Sequence, residues 1–154
     1  MIAILTIVIF IIDILSKITI NRYIGVGESV KLVDNFLYFS HVRNTGAAWS
    51  MFDNNEIFVL VISCLIILGL IMYIFKNKPK NKLEKIAYGF ILGGALGNFA
   101  NRLVNGYVTD FIDVKIFNYD YPIFNLADIF IVVGVILFAI DIWRGNNGNK
   151  SRRR

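Results

Sequence analysis

Residues 106–128, GYVTDFIDVKIFNYDYPIFNLAD, decide how this chain is laid out. They join two apolar segments. Asp110 and Asp113 fall just outside the first, and Asp128 falls just inside the second. A carboxylate in the first turn or so of a membrane helix is costly and marks a functional site by default. A short re-entering connection would return either Asp110 or Asp113 to Asp128. Two carboxylates held together cannot both ionise easily, so such a pair tends to share a proton.

The composition around this stretch fits a membrane protein. The chain is 56% hydrophobic over 154 residues, with mean hydropathy +0.63. Soluble domains are about 45–50% apolar. The excess falls in four blocks, about residues 2–20, 57–75, 86–104 and 124–143, with charges dense between them. Each is long enough to span a bilayer. The expected fold is an all-α membrane protein, one domain over 1–154. It has four transmembrane helices, a small extracytoplasmic β region, and a basic, disordered tail at 144–154. The first block lacks a basic n-region and a small-residue cleavage site, so it reads as a retained helix rather than a signal peptide. The single cysteine, Cys64, lies in an apolar run and reads as packing.

Charge sets the expected topology. Ten of the sixteen Lys and Arg residues sit in 76–85 and 144–154. The positive-inside rule makes that side cytoplasmic, together with both termini. The net charge of +5 then suits a membrane flank and does not call for nucleic acid. The outer connections are 21–56 and 106–123. Within the first, the residues of 30–33 and 36–42 are β-branched or aromatic and partly alternate, which predicts two or three small strands. Trp49 and Phe52 suit anchoring at the headgroup level. The lone histidine, His41, has no partner signature and reads as a surface or strand residue, with no zinc site.

This topology gathers the polar residues at one depth. Asp13 and Lys17, spaced i, i+4, share a face in the outer half of the first helix. In the third block Gly89, Gly93 and Gly97 form a small-residue stripe suited to close helix contact. Gly94, Asn98 and Arg102 repeat that spacing one position on, and Asn101 continues the first stripe. Asn125 and Asp128 share a face at the outer start of the last helix. The chain therefore predicts a polar site at the extracytoplasmic interface, built of carboxylate, carboxamide and guanidinium groups.

The available chemistry is narrow. No G-x-S-x-G is present, Ser16 and Lys17 are adjacent and face apart, and metal ligands are lacking. Acid–base work by a carboxylate pair on a peptide bond remains, with no cofactor. A transporter or proton-relay subunit using the Asp/Arg cluster is the alternative. A structural subunit held together by polar contacts is a third reading. Neither explains why the polar groups stop short of the inner leaflet.

The chain resembles the lipoprotein signal peptidases, the bacterial type II signal peptidases, along nearly its whole length. The matching pieces are Asp13-x-x-x-Lys17; the run from Asn44 through Gly46 to Ser50; Gly93 to Asn98 with Arg102; Gly106-x-Val108-x-Asp110-Phe111-x-Asp113; and Phe124-Asn125-x-Ala127-Asp128. The resemblance implies a membrane aspartic endopeptidase that cuts prolipoproteins just before a diacylglyceryl-modified cysteine, at the outer face of the bacterial cytoplasmic membrane. It implies Asp110 and Asp128 as the catalytic dyad. Asp13, Lys17, Asn44, Gly46, Asn98, Arg102 and Asn125 form the substrate-binding set. Lipid-modified prolipoproteins and membrane lipids are its partners, with no oligomer required. One departure stands out. The family usually has Asp-Arg in helix 3, where this chain has Asn101-Arg102. Asn still hydrogen-bonds but cannot act as a base, so this position reads as structural.

Overall fold

The computed structural model describes residues 1–46, 55–79, 81–116 and 119–151. Trp49, Phe52 and the small residues Ala47, Ala48 and Ser50 lie outside the described residues, as does the end of the tail. Four helices dominate: α1 (Ile2–Tyr23), α2 (Glu56–Asn77), α3 (Lys82–Asn105) and α4 (Leu126–Ser151). Among the described residues, three segments are long and apolar enough to cross a membrane: Ile2–Tyr23, Glu56–Asn77 and Leu126–Arg144, with mean hydropathy 2.4, 3.1 and 2.4. Their outer faces carry exposed Ile4, Ile11, Leu15, Leu65, Met72 and Val135. Such a surface matches lipid rather than water.

The expected fourth span, α3, is as long but less apolar. It packs against α1, α2 and α4, so much of its surface meets protein and can carry Gly, Asn and Arg. Its two small-residue stripes face different neighbours. A Cβ on Gly89 or Gly93 would lie 2.7 Å from Cβ of Leu5 or Ile9 on α1. One on Gly97 would collide with the Asp13 carboxylate. One on Gly94 would lie 2.5 Å from the Ala127 carbonyl oxygen of α4. Both partner helices thus approach α3 at backbone distance.

The helix ends fit their residues. The Asn81 side chain caps α3 by accepting from the Glu84 N–H at 2.9 Å. Gly106 ends α3 in the left-handed region at φ 81°, its N–H bonded to the Arg102 carbonyl. That turn throws the chain directly into a strand. Helix α4 runs to Ser151, into the stretch whose composition predicts disorder. An established helix adds residues at little cost.

The β region is larger than expected. An antiparallel sheet of order β1-β2-β3-β4 holds β1 (Ser29–Val33), β2 (Leu37–Asn44), β3 (Val108–Ile116) and β4 (Tyr119–Asp120). The first two are the predicted strands. The third corrects the reading of 106–123 as a short re-entering loop; the architecture remains mostly helical with a small β region. Val108, Thr109, Phe111, Ile112, Val114 and Ile116 favour strand, but their partner, β2, lies far away in sequence. Val42 pairs with Asp110, and Tyr38 with Asp113. Phe111 packs with Ile20 and Ile24 at the end of α1, edge-on to Phe39 at 5.8 Å. His41 is a strand residue in β2, and it is buried rather than at the surface. Its Nδ1 donates to the Ile24 carbonyl at 2.7 Å and ties β2 to the end of α1.

Candidate active site

The site begins with a buried ion pair. Lys17 Nζ donates to Asp13 Oδ2 at 2.7 Å, and both side chains are almost wholly enclosed. A buried pair is sustained only when its remaining polar capacity is met. Here the neighbouring helices meet it. Asp13 Oδ1 accepts from the Ala127 N–H of α4 at 3.0 Å. Lys17 Nζ also donates to Asn98 Oδ1 of α3 at 2.7 Å. The pair therefore joins three helices at one level. It also places an anion at the N-terminus of α4, where the helix dipole favours one.

The start of α4 is a capping box with Asn125 and Asp128 in its two roles. The Asn125 N–H donates to Asp128 Oδ2 at 3.0 Å, and the Asp128 N–H donates to Asn125 Oδ1 at 3.2 Å. Asn98 Nδ2 donates to the other oxygen, Asp128 Oδ1, at 2.8 Å.

Strand β3 delivers the second carboxylate. The N–H groups of Phe111 and Ile112 donate to the Phe124 carbonyl at 2.9 and 2.7 Å, so β3 runs beside the residue preceding Asn125. Just before Asp110, Thr109 is fully buried. Its N–H donates to Asn101 Oδ1 at 2.7 Å and its hydroxyl to Asn21 Oδ1 at 3.1 Å. Asp110 then accepts Asn125 Nδ2 on Oδ1 at 2.6 Å and Asn44 Nδ2 on Oδ2 at 2.8 Å. One residue, Asn125, thus bridges the two acids. Burial pushes the Asp110 carboxyl up to about 6. The Asn44 and Asn125 donors pull the other way, and the Asp128 charge adds to the rise.

Asp110 and Asp128 line a cavity of about 830 Å³. Asn44, Asn98, Arg102 and Asn125 share its polar wall. Pro122, Ile123, Phe124, Ile129, Val132 and Val133 make an apolar wall that descends α4. Arg102 Nη2 donates to the Gly46 carbonyl at 2.9 Å and holds down the loop after β2.

Other expected residues sit elsewhere. Asp13 and Lys17 are enclosed among the helices and are not among the cavity's lining residues. Asp113 accepts from the Ser40 hydroxyl at 2.9 Å, away from the cavity lining. Successive strand residues face opposite ways. Asp110 therefore points into the cavity, while Phe111 packs toward α1. Asn21 and Thr109 were not anticipated. Asn21 continues the spacing of Asp13 and Lys17 by four, a signal that was present. Thr109 carried none.

Fold and site together define a membrane protein with two hydrogen-bonded carboxylates on one cavity wall. Residues 5–144 match the family described as Signal peptidase (SPase) II, and the chain belongs to that family of peptidases. It is 40% identical over 139 residues to a lipoprotein signal peptidase of Anoxybacillus flavithermus, covering 90% of this chain and 83% of that one. It is 37% identical over 147 residues to one of Staphylococcus haemolyticus, covering 96% and 93%. A bacterial membrane enzyme solved by the in meso method at 2.3 Å resolution superposes with TM-score 0.86 at 34% identity, covering 96% of this chain and 90% of that one. Family membership favours the peptidase over the transporter reading.

Proposed function

We propose that the chain is an aspartic endopeptidase with Asp110 and Asp128 as its catalytic dyad, and that it removes signal peptides from lipid-modified prolipoproteins. The observation that carries this is the two-sided cavity: both carboxylates on a polar wall, and an apolar wall running down a membrane-spanning helix. The polar wall suits a peptide backbone and the apolar wall suits acyl chains. The relatives named lipoprotein signal peptidase support the same substrate class.

The dyad works with one shared proton. The ionised carboxylate takes a proton from water as the water oxygen bonds to the peptide carbonyl carbon. The protonated carboxyl gives its proton to the carbonyl oxygen, forming a gem-diol. The first carboxyl then protonates the leaving nitrogen as the C–N bond breaks. The second carboxylate recovers a proton from the diol, and the dyad returns to its starting state. Asn44, Asn98 and Asn125 hold the two acids. Arg102 fixes the loop that carries Gly46. Asp13 and Lys17 act from beneath as positioning residues.

Four helices span the bacterial cytoplasmic membrane in this reading, α3 shielded by the other three. Both termini are cytoplasmic, and the sheet and dyad face outward. Both acids come from one chain, so a monomer suffices. Purified protein is to be incubated with a diacylglyceryl-modified prolipoprotein and with its unmodified form. Cleavage of the modified form is expected; cleavage of neither would return the relay reading.

A further inference from the structure

We infer that Lys17, acting through the Asn98 carboxamide, sets which acid of the pair carries the charge: the negative charge rests on Asp128 and the proton on Asp110. This deepens the dyad reading and rests on it.

The argument starts from donors and acceptors. Lys17 Nζ has only hydrogens to offer, so the Asn98 atom 2.7 Å away must be its oxygen. The Asn98 amide is thereby locked, and its NH₂ must face Asp128 Oδ1, 2.8 Å away. An ammonium on the amide oxygen polarises the amide and strengthens donation from its nitrogen. The second donor to Asp128 is a backbone N–H at the N-terminus of α4, where the helix dipole favours negative charge. Asp110 has no comparable support. It sits on a strand, 4% exposed, and its two donors are side-chain amides of Asn44 and Asn125. Among the described residues neither amide carries a lysine on its oxygen: the Asn125 oxygen accepts the Asp128 N–H, and the Asn44 oxygen accepts the Gly46 N–H.

The other charged groups do not reverse this. Asp13 is neutralised by its ion pair with Lys17. Arg102 acts on both acids, on Asp110 more than on Asp128, and the Lys17 charge also reaches Asp110; both offset part of the burial of Asp110 without matching the bonded Lys17–Asn98–Asp128 chain. Arg43 lies on the cavity wall, 4.7 Å from the Tyr107 ring centre. Burial-driven elevation of Asp110 agrees with the same assignment. Asp128 therefore receives the proton of the attacking water, and Asp110 gives its proton to the carbonyl oxygen.

A dyad active with one proton has a bell-shaped profile of kcat/KM against pH, whose two limbs belong to the pair. The acid limb reports loss of the charge and the base limb loss of the proton. Cleavage is to be measured across pH for the wild type, Asp13→Asn/Lys17→Met, Asn98→Leu and Asn44→Leu. The double variant removes both buried charges together and keeps an acceptor for the Ala127 N–H. Asn98→Leu breaks the same chain while leaving the ion pair, and reads the result should the double variant not fold. The acid limb is expected to move up by about one pH unit in both, while Asn44→Leu moves the base limb up. Movement of the base limb in the Lys17 and Asn98 variants, or lower activity with both limbs in place, would overturn the assignment. A wild type with no cleavage, or cleavage surviving in Asp110→Asn and Asp128→Asn, would instead remove the dyad reading itself.

Discussion

Asn125 and Asp128 bond to each other twice, backbone N–H to side chain in each direction, at 3.0 and 3.2 Å. In a soluble helix this would only be a cap. Here the same Asn125 extends its amide nitrogen to Asp110 at 2.6 Å, so the cap also spaces the two acids. The helix start and the proposed catalytic geometry are one structure. The local sequence of α4 thereby sets the position of an acid on a distant strand.

That double role separates two effects of mutation. Asn125→Ala should cost about 1 kcal/mol through the lost cap. It should also lower kcat on the order of 100-fold through the lost donor. Asn125→Ser keeps a capping oxygen and adds no charge, but is too short to reach Asp110. It should melt closer to wild type than Asn125→Ala in detergent and be as inactive. An active Asn125→Ser enzyme would show that the Asp110 contact is dispensable.

The two acids of β3 should behave differently. Asp110→Asn and Asp128→Asn are each expected to abolish cleavage while the protein still inserts and folds. Asp113→Asn should retain measurable activity, because Asp113 contacts Ser40 and does not line the cavity. Dead Asp113→Asn beside active Asp110→Asn would transfer the role to Asp113. Cleavage assays with matched protein levels decide between them.

Asp110 also predicts how stability depends on pH. Its carboxyl is raised from 3.8 to about 6 by burial. Between these values the folded state holds a proton that the unfolded state has released. Stability therefore falls as pH rises from about 4 to about 6, by up to ~3 kcal/mol in total, and stays lower above. The full benefit is present only below the unfolded value. Thermal unfolding across pH should show this decline in wild type. The contribution should be missing from Asp110→Asn. An identical pH slope in the two proteins would contradict the burial argument.

Close helix contact gives a further contrast. Gly97→Ala would drive a methyl group into the Asp13 carboxylate and pry α1 from α3. A loss of roughly 3 kcal/mol or more follows, since the buried ion pair is disturbed as well. Gly69 on α2 has nothing within 4 Å of a new Cβ. Gly69→Ala should be neutral or gain up to about 1 kcal/mol of helix preference. Equal melting temperatures for the two variants would mean that α1 is not seated on this stripe.

What could be read from the sequence follows the range of each signal. The helices are local, so periodicity and apolar runs locate them to within a few residues, except at the end of α4, which runs on to Ser151. Asn98, Asn125 and Asp128 sit on helices whose spacing shows which residues share a face. Strand β3 was missed because its pairing to β2 lies beyond any local window, and the side-chain alternation that separates Asp110 from Asp113 went with it. The burial of Lys17 was also illegible. An i, i+4 ion pair looks the same in sequence whether it meets a cavity or two neighbouring helices. Only packing distinguishes them, here through Ala127 and Asn98.

Asn101 tests whether the third acid usual at this position in the family is needed. Its side-chain oxygen accepts the Thr109 N–H at 2.7 Å and is buried with it. Asp110 is the next residue, so this bond sets where β3 begins and how its acid enters the cavity. Only an acceptor is needed, and Asn and Asp both supply one. Asn101→Asp should therefore keep cleavage within about tenfold, a change of ~1.4 kcal/mol or less in the barrier. Asn101→Leu keeps the volume but strands a buried N–H, which costs about 1–3 kcal/mol and frees Thr109 to shift. Its cleavage should fall well beyond tenfold, with melting lowered. A large gain in Asn101→Asp would make the acid a working part of the site. Wild-type activity in Asn101→Leu would show that Asp110 is positioned by Asn44 and Asn125 alone.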